Sequence, residues 1–196
     1  MIARYMSKGY SAAMPNYRRN RTAGGTYFFT VVTHGRRRFL TEKLARKILR
    51  DAFREIRRRR PFSIDAIVLL PDHLHCIWTL PEGDAEYSVR WNQLKGQFTR
   101  AWLAAGGQEA TTSSSRASRR ERGVWQRRMF EHTCRDETDL KRCVDYLHAN
   151  PLKHGLVERV QDWPWSTFFR FVKQGEYSLD WGNSSIWYGD EWRDFE

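Results

Sequence analysis

No stretch of this chain approaches the ~20 consecutive apolar residues needed to span a bilayer, and its first ten residues lack the apolar segment of a secretory signal. A cytoplasmic protein that does not enter membranes is the expectation. Cysteine is scarce. Cys76, Cys134 and Cys143 form no CxxC pair and are odd in number, so they read as reduced thiols of a cytosolic protein. Acidic residues are nearly missing from the first part of the chain. Residues 1–60 carry 17 Lys/Arg against 3 Asp/Glu, whereas residues 180–196 carry five acids and one Arg. At 196 residues the chain is long enough to bury one core without disulfides.

What is present is positive charge and aromatic rings. The net charge is +11, with nine Trp, eight Tyr and eleven Phe. A basic surface attracts polyanions by releasing their counterions, and rings among basic residues suit stacking on unpaired bases. Nucleic-acid binding is the reading that this distribution favours.

The pattern along the chain predicts one domain over 26–182, preceded by a basic arm (1–25) and followed by an acidic, aromatic tail (183–196). TYFFTVVT (26–33) is β-branched and aromatic and predicts a strand. Leu44, Ile48, Phe53 and Ile56 fall at helical spacing within 41–60, which Pro61 ends. FSIDAIVLL (62–70) and HLHCIWTL (73–80) predict two strands joined as a hairpin through Pro71-Asp72. Val89, Leu94, Phe98 and Trp102 mark a helix over 88–103. Residues 104–123, rich in Gly, Ser, Thr and Arg, predict a mobile basic loop. A fourth strand is expected within 124–134 and a helix over 137–149, ended by Asn150-Pro151. The order strand, helix, strand, strand, helix, strand, helix predicts an α+β fold: a ferredoxin-like or RRM-like antiparallel sheet with helices packed on it.

Two clusters carry chemistry. His73 and His75, two apart on a strand, face the same way, while Leu74 and Cys76 face the opposite way. Two imidazoles so placed can hold one divalent ion, although such a pair is also common as plain surface histidines. In DYLHANPLKHG (145–155), Tyr146 and Asn150 are four apart and share a helix face. Leu140, Val144 and Leu147 on the neighbouring face would dock that helix onto the sheet. A helical tyrosine is more often packing than a nucleophile, so neither cluster alone makes an enzyme.

Together with GGTYFFTVVT (24–33), LLPDHLHCIWTLPEGD (69–84), NQLKGQFTR (92–100), ERGVWQRRMFEHTCRDETDL (121–140) and WPWSTF (163–168), these clusters resemble the single-tyrosine HUH nucleases. More narrowly, they resemble the REP-associated tyrosine transposases. The ordered motifs cover most of residues 17–182. The resemblance implies the two histidines on a central strand, the tyrosine on a following helix, and Mg²⁺ or Mn²⁺ as cofactor. It implies metal-dependent cleavage and rejoining of single-stranded DNA at hairpins of repetitive extragenic palindromes (REPs), through a 5′-phosphotyrosine. Carried over by position, Tyr146 is the nucleophile and His73, His75 and Asn150 are metal ligands. Lys153, His148 and His154 are possible assisting groups. The segment between Ala104 and Arg120 is longer than the family pattern.

Arg18, Arg19, Arg21, Lys95, Arg127 and Arg128 are expected phosphate contacts, and Trp125 and Gln126 expected base contacts. Asn16 and Tyr17, with the arm's arginines, have the chemistry to read a short single-stranded guide. The tail pairs acids with Trp187, Tyr188, Trp192 and Phe195, a mixture that imitates single-stranded DNA and suggests competition for the basic groove. A monomer or weak homodimer is expected. The main alternative is a non-catalytic binder of single-stranded DNA or RNA hairpins, either domesticated or RRM-like. It shares the charge and the rings but has no need of paired histidines facing a tyrosine. A hydrolase that uses water would tolerate loss of the phenol.

Overall fold

The structure is a computed structural model that describes residues 21–119 and 121–183. Asn16, Tyr17, Arg18 and Arg19 of the arm, and the tail from residue 184 onward, lie outside the described residues. The elements are β1 (Thr26–Val32), α1 (Lys43–Arg59), β2 (Ser63–Leu69), β3 (His73–Thr79), α2 (Tyr87–Ala104), α3 (Ser114–Ser118), β4 (Phe130–Thr133), α4 (Glu137–Lys153) and α5 (Phe168–Gln174). Single 3₁₀ turns occur at His34–Arg36 and Val160–Asp162. The four strands form one sheet in the order β2-β3-β1-β4, with every pair antiparallel. This is the expected α+β, ferredoxin-like arrangement, with β3 and β1 in its centre.

The pleat divides the strand residues between two cores. Tyr27, Phe29, Val31, Leu74, Cys76 and Trp78 pack on the face covered by α1 and α2. Phe28, Ala66, Val68 and Ile77 pack on the opposite face, covered by α4. α1 buries Ala45, Ile48, Leu49, Ala52, Phe53 and Ile56, and each large side chain in that stripe contributes about 1.5–3 kcal/mol. Leu44, expected in the stripe, is 40% exposed: the stripe is centred one residue later, on Ala45 and Leu49. On α2 the buried row is Tyr87, Trp91, Leu94, Phe98 and Trp102. Trp91 stacks on Trp78 at 4.2 Å between ring centroids, and Val89 turns partly to solvent.

Two expectations differ from the structure. The segment 104–123 carries the short helix α3 and is tied at both ends. Ala110 N–H donates to Gly123 O, Arg122 grips the Glu109 carboxylate with two nitrogens, and Arg116 Nη2 donates to Trp125 O at 3.1 Å. Secondly, α4 does not stop at Asn150-Pro151; it continues to Lys153 with Pro151 inside. Proline removes one backbone donor and disfavours a helical residue before it. Here the last turn survives because Pro151 and Leu152 are buried and His154 N–H still reaches Asn150 O at 3.0 Å. That extra turn carries Lys153 and His154 onto the site. Among the described residues no helix is long and apolar enough to cross a membrane.

Candidate active site

β3 presents His73 and His75 from the α4 face of the sheet, their ring centroids 4.9 Å apart. Both are buried, at 4% and 2% exposure. Each ring is held through Nδ1. Asp72 Oδ1 lies 2.7 Å from His73 Nδ1. Thr30, directly across the β1–β3 register from His75, places its Oγ1 2.9 Å from His75 Nδ1. Such partners orient imidazoles that ligate through the other nitrogen. Burial, reinforced by the charges of His73, His154 and Lys153, holds His75 well below the usual histidine range, against an opposing pull from the Asn150 amide. His75 is therefore a neutral imidazole, the form that ligates metal.

His75 Nε2 is buried without a hydrogen-bond partner, as are both Oδ1 and Nδ2 of Asn150. The Asn150 amide stands beside His75 and acts on it as a hydrogen-bonding neighbour, although the pair falls outside strict hydrogen-bond geometry. Each such orphaned polar group costs about 1–3 kcal/mol. Imidazole nitrogen and amide oxygen are both ligands that a divalent cation accepts. The residues present thus fit a divalent ion held by His73, His75 and Asn150. The two nitrogens suit Mn²⁺ at least as well as the oxygen-preferring Mg²⁺.

α4 brings Tyr146 to the same place. Its ring is 5.4 Å from His75 and 5.9 Å from Phe28. Tyr146 lines a pocket of about 550 Å³ together with His73, His75, Arg36, Gln126 and Arg128. Lys153 Nζ lies 5.0 Å over the Tyr146 ring. The exposed His154 packs edge-on to His73 at 5.1 Å and lines the pocket too. The helix is anchored from its start: Asp136 caps it by accepting from Asp139 N–H at 2.8 Å.

Other expected residues go elsewhere. His148 is fully buried on another side of α4, its Nε2 2.9 Å from Thr167 Oγ1. Burial, with the Arg170 charge, lowers its pKa to about 3, so it is a neutral packing residue rather than an assisting group in the pocket. Trp125 is 4% exposed, its ring packed against Phe98 at 5.0 Å. That ring belongs to the core and reaches solvent only where it lines a second cavity. Arg21 pairs with Glu86 at 3.0 Å. Lys95 and Arg127 line a separate cavity of about 830 Å³ with Arg100, Arg116 and Arg122, while Gln126 and Arg128 face the histidine pocket.

Three site residues were not picked out from the sequence. Thr30 had no signal without the strand register. Asp72, just before His73, had one in its position but read as a turn residue. Arg36 donates to Asp72 Oδ2 at 3.2 Å and lines the pocket. Its backbone is left-handed, with φ 51°, a conformation that costs a non-glycine residue about 1–2 kcal/mol and gathers at functional sites. Burial alone would raise the Asp72 carboxyl. Its hydrogen bond and charge contact with His73, backed by Arg36, instead bring it down to about 2.

A family profile described as "Transposase IS200 like" matches residues 22–150. The "REP-associated tyrosine transposase" of Escherichia coli (strain K12) is 44% identical over 169 residues, 86% of this chain and 91% of that protein. A relative from Haemophilus influenzae is 44% identical over 172 residues, 87% of this chain and 95% of its own length. A solved structure of a REP-associated tyrosine transposase bound to a REP hairpin superimposes with a TM-score of 0.72 at 44% identity, covering 86% of this chain and 91% of that one. With a matching sheet, a matching profile and this identity along most of its length, the chain belongs to the IS200-like transposases and, among them, to the REP-associated tyrosine transposases.

Proposed function

We propose that this protein binds REP-type DNA hairpins and cleaves and rejoins the adjoining single strand through a tyrosine-linked intermediate. The observation that carries this reading is the meeting of Tyr146 with His75 in one pocket, beside the unsatisfied His75 Nε2 and Asn150 amide. His73, His75 and Asn150 would hold the divalent ion. When bound, it supplies Lewis-acid neutralisation of charge on the scissile phosphate.

The chain's own residues perform the rest. Arg36 and Arg128, lining the pocket, hold phosphate oxygens by charge-assisted hydrogen bonds. Free tyrosine has a pKa near ~10 and is a weak nucleophile at neutral pH. Lys153 over the ring favours the phenolate, and His154 takes the phenol proton. The Tyr146 oxygen bonds to phosphorus, and the P–O3′ bond breaks. Its electron pair leaves with the 3′ oxygen, which takes up a proton, and the 5′ phosphate stays on the tyrosine. No water is consumed, so an incoming 3′-hydroxyl reverses the step and joins strands without ATP. The tyrosine and the histidines come from the same chain, so one copy suffices for a complete site. Lys95, Arg100, Arg116, Arg122 and Arg127 around the second cavity form a track for the hairpin's phosphates.

The test uses a labelled single-stranded REP hairpin with Mn²⁺, read on a denaturing gel. The expected result is a DNA–protein adduct that survives denaturation, needs the metal and is absent from Tyr146→Phe. Binding without an adduct would reduce the protein to a hairpin binder. Cleavage retained in Tyr146→Phe would point to attack by water.

A further inference from the structure

On the same face of the sheet as the nuclease pocket, nearer the start of α4, lies a second cluster of metal-ligating side chains. His132 and Cys134 are two apart at the end of β4, and Asp139 and Cys143 are four apart on α4. The strand period and the helix period each put their pair on one face, and the two faces meet. A ligand atom from each of His132, Asp139 and Cys143 lies within 4.8 Å of the others. Cys134 Sγ lies 3.9 Å from Cys143 Sγ. Two thiolates on one tetrahedral zinc ion, at about 2.3 Å each, stand about 3.8 Å apart. His132 Nε2 is 3.1 and 3.0 Å from the two Asp139 oxygens, close to the separation of about 3.3 Å for a nitrogen and an oxygen sharing such an ion.

The surroundings suit a closed structural site. Cys143 is fully buried and Asp139 5% exposed, while the His132 side chain is 27% exposed and leaves an approach from solvent. Asp139 Oδ2 also accepts from the Arg135 backbone N–H and Nε, each at 3.0 Å. Those bonds hold the carboxylate's orientation, as outer partners of metal ligands do. We propose that His132, Asp139 and Cys143, whose ligand atoms already lie together, form a zinc-type site that Cys134, now beside Cys143 alone, completes by turning inward on binding; the site is separate from the nuclease metal and fastens the edge strand β4 to α4 one turn ahead of Tyr146. Two thiolates select a soft or borderline ion such as Zn²⁺ over Mg²⁺. Binding replaces two thiol protons, which are released to solvent as the two Zn–S bonds form, so affinity rises with pH.

Cobalt reports the two metal sites separately, because only this one contains sulfur. The full-length protein is titrated with Co²⁺ under reductant, alongside a His73→Ala/His75→Ala variant and single Cys134→Ser and Cys143→Ser variants. The expected result is one equivalent of Co²⁺ giving a thiolate charge-transfer band in the near ultraviolet and tetrahedral visible bands. Both persist in the double histidine variant, are weakened at least severalfold in each serine variant, and are displaced by Zn²⁺. Half-buried Cys134 serves as the control should Cys143→Ser fold poorly. Three results would overturn the site: no thiolate band, a band lost with His73 and His75, or a band indifferent to Cys134→Ser. If no band forms and the mass falls by two hydrogen atoms on mild oxidation, their electrons taken by the added oxidant, the cysteines are a thiol pair capable only of disulfide formation.

Discussion

At the scale of single residues, the pocket depends on groups that touch no substrate. Asp72 and Thr30 each occupy an Nδ1 of the histidine pair, at 2.7 and 2.9 Å, and thereby decide which nitrogen is offered to a ligand. Outer partners of this kind are worth about 10- to 100-fold in metal affinity. Asp72→Ala should therefore weaken Mn²⁺ binding by about 10- to 100-fold, read by titration of the metal alone, with the fold retained by circular dichroism. Unchanged affinity would show that His73 is held by packing and not by Asp72. Arg36 should behave differently. Its guanidinium contacts Asp72 from an exposed position, so Arg36→Ala should leave metal affinity within a few-fold and lower DNA cleavage.

At the scale of elements, α4 is the part on which the proposed chemistry hangs. It carries Tyr146 and Asn150 on one face, and its last turn carries Lys153 beyond a proline. Its start is secured by the Asp136 cap, and loss of such a cap costs about 1 kcal/mol. Asp136→Ala should lower unfolding stability by about that amount in urea titrations, with the slope unchanged. A much larger loss would mean that the cap also holds β4 in place. The proline shows why helix ends resist prediction. Its local cost is fixed, but whether the helix stops depends on what the following residues bury, and Leu152 finds a place in the core under the sheet.

For the whole molecule, charge is the property that acts at range. Neutralising Z phosphates on duplex DNA gives a salt slope of about −0.9Z, so each basic residue that contacts a hairpin stem contributes its share. Replacing Lys95 and Arg127 together by Ala should make the plot of log affinity against log salt shallower by about 2 units. Binding should weaken about equally across stem sequences, as expected for backbone contacts. A sequence-dependent loss would instead place those residues on base edges. The first part of the chain, with 17 basic residues against 3 acidic in residues 1–60, already pointed to a polyanionic partner. The burial of Trp125 was not visible there, because an aromatic just ahead of Gln126, Arg127 and Arg128 reads alike on a surface and under a helix.

The order of strands and helices, and the shared face of His73 and His75, follow from the sequence alone. Both rest on local periodicities, the two-residue pleat and the 3.6-residue turn, which each segment carries in its own side chains. The tertiary structure decided what those faces meet: Thr30 opposite His75, Asn150 beside it, Arg36 on Asp72, and Cys134 just past β4 within reach of Cys143 on α4. These depend on strand register and on how a helix settles onto a sheet. Both are set by burial between segments far apart in the chain, and no single segment encodes them.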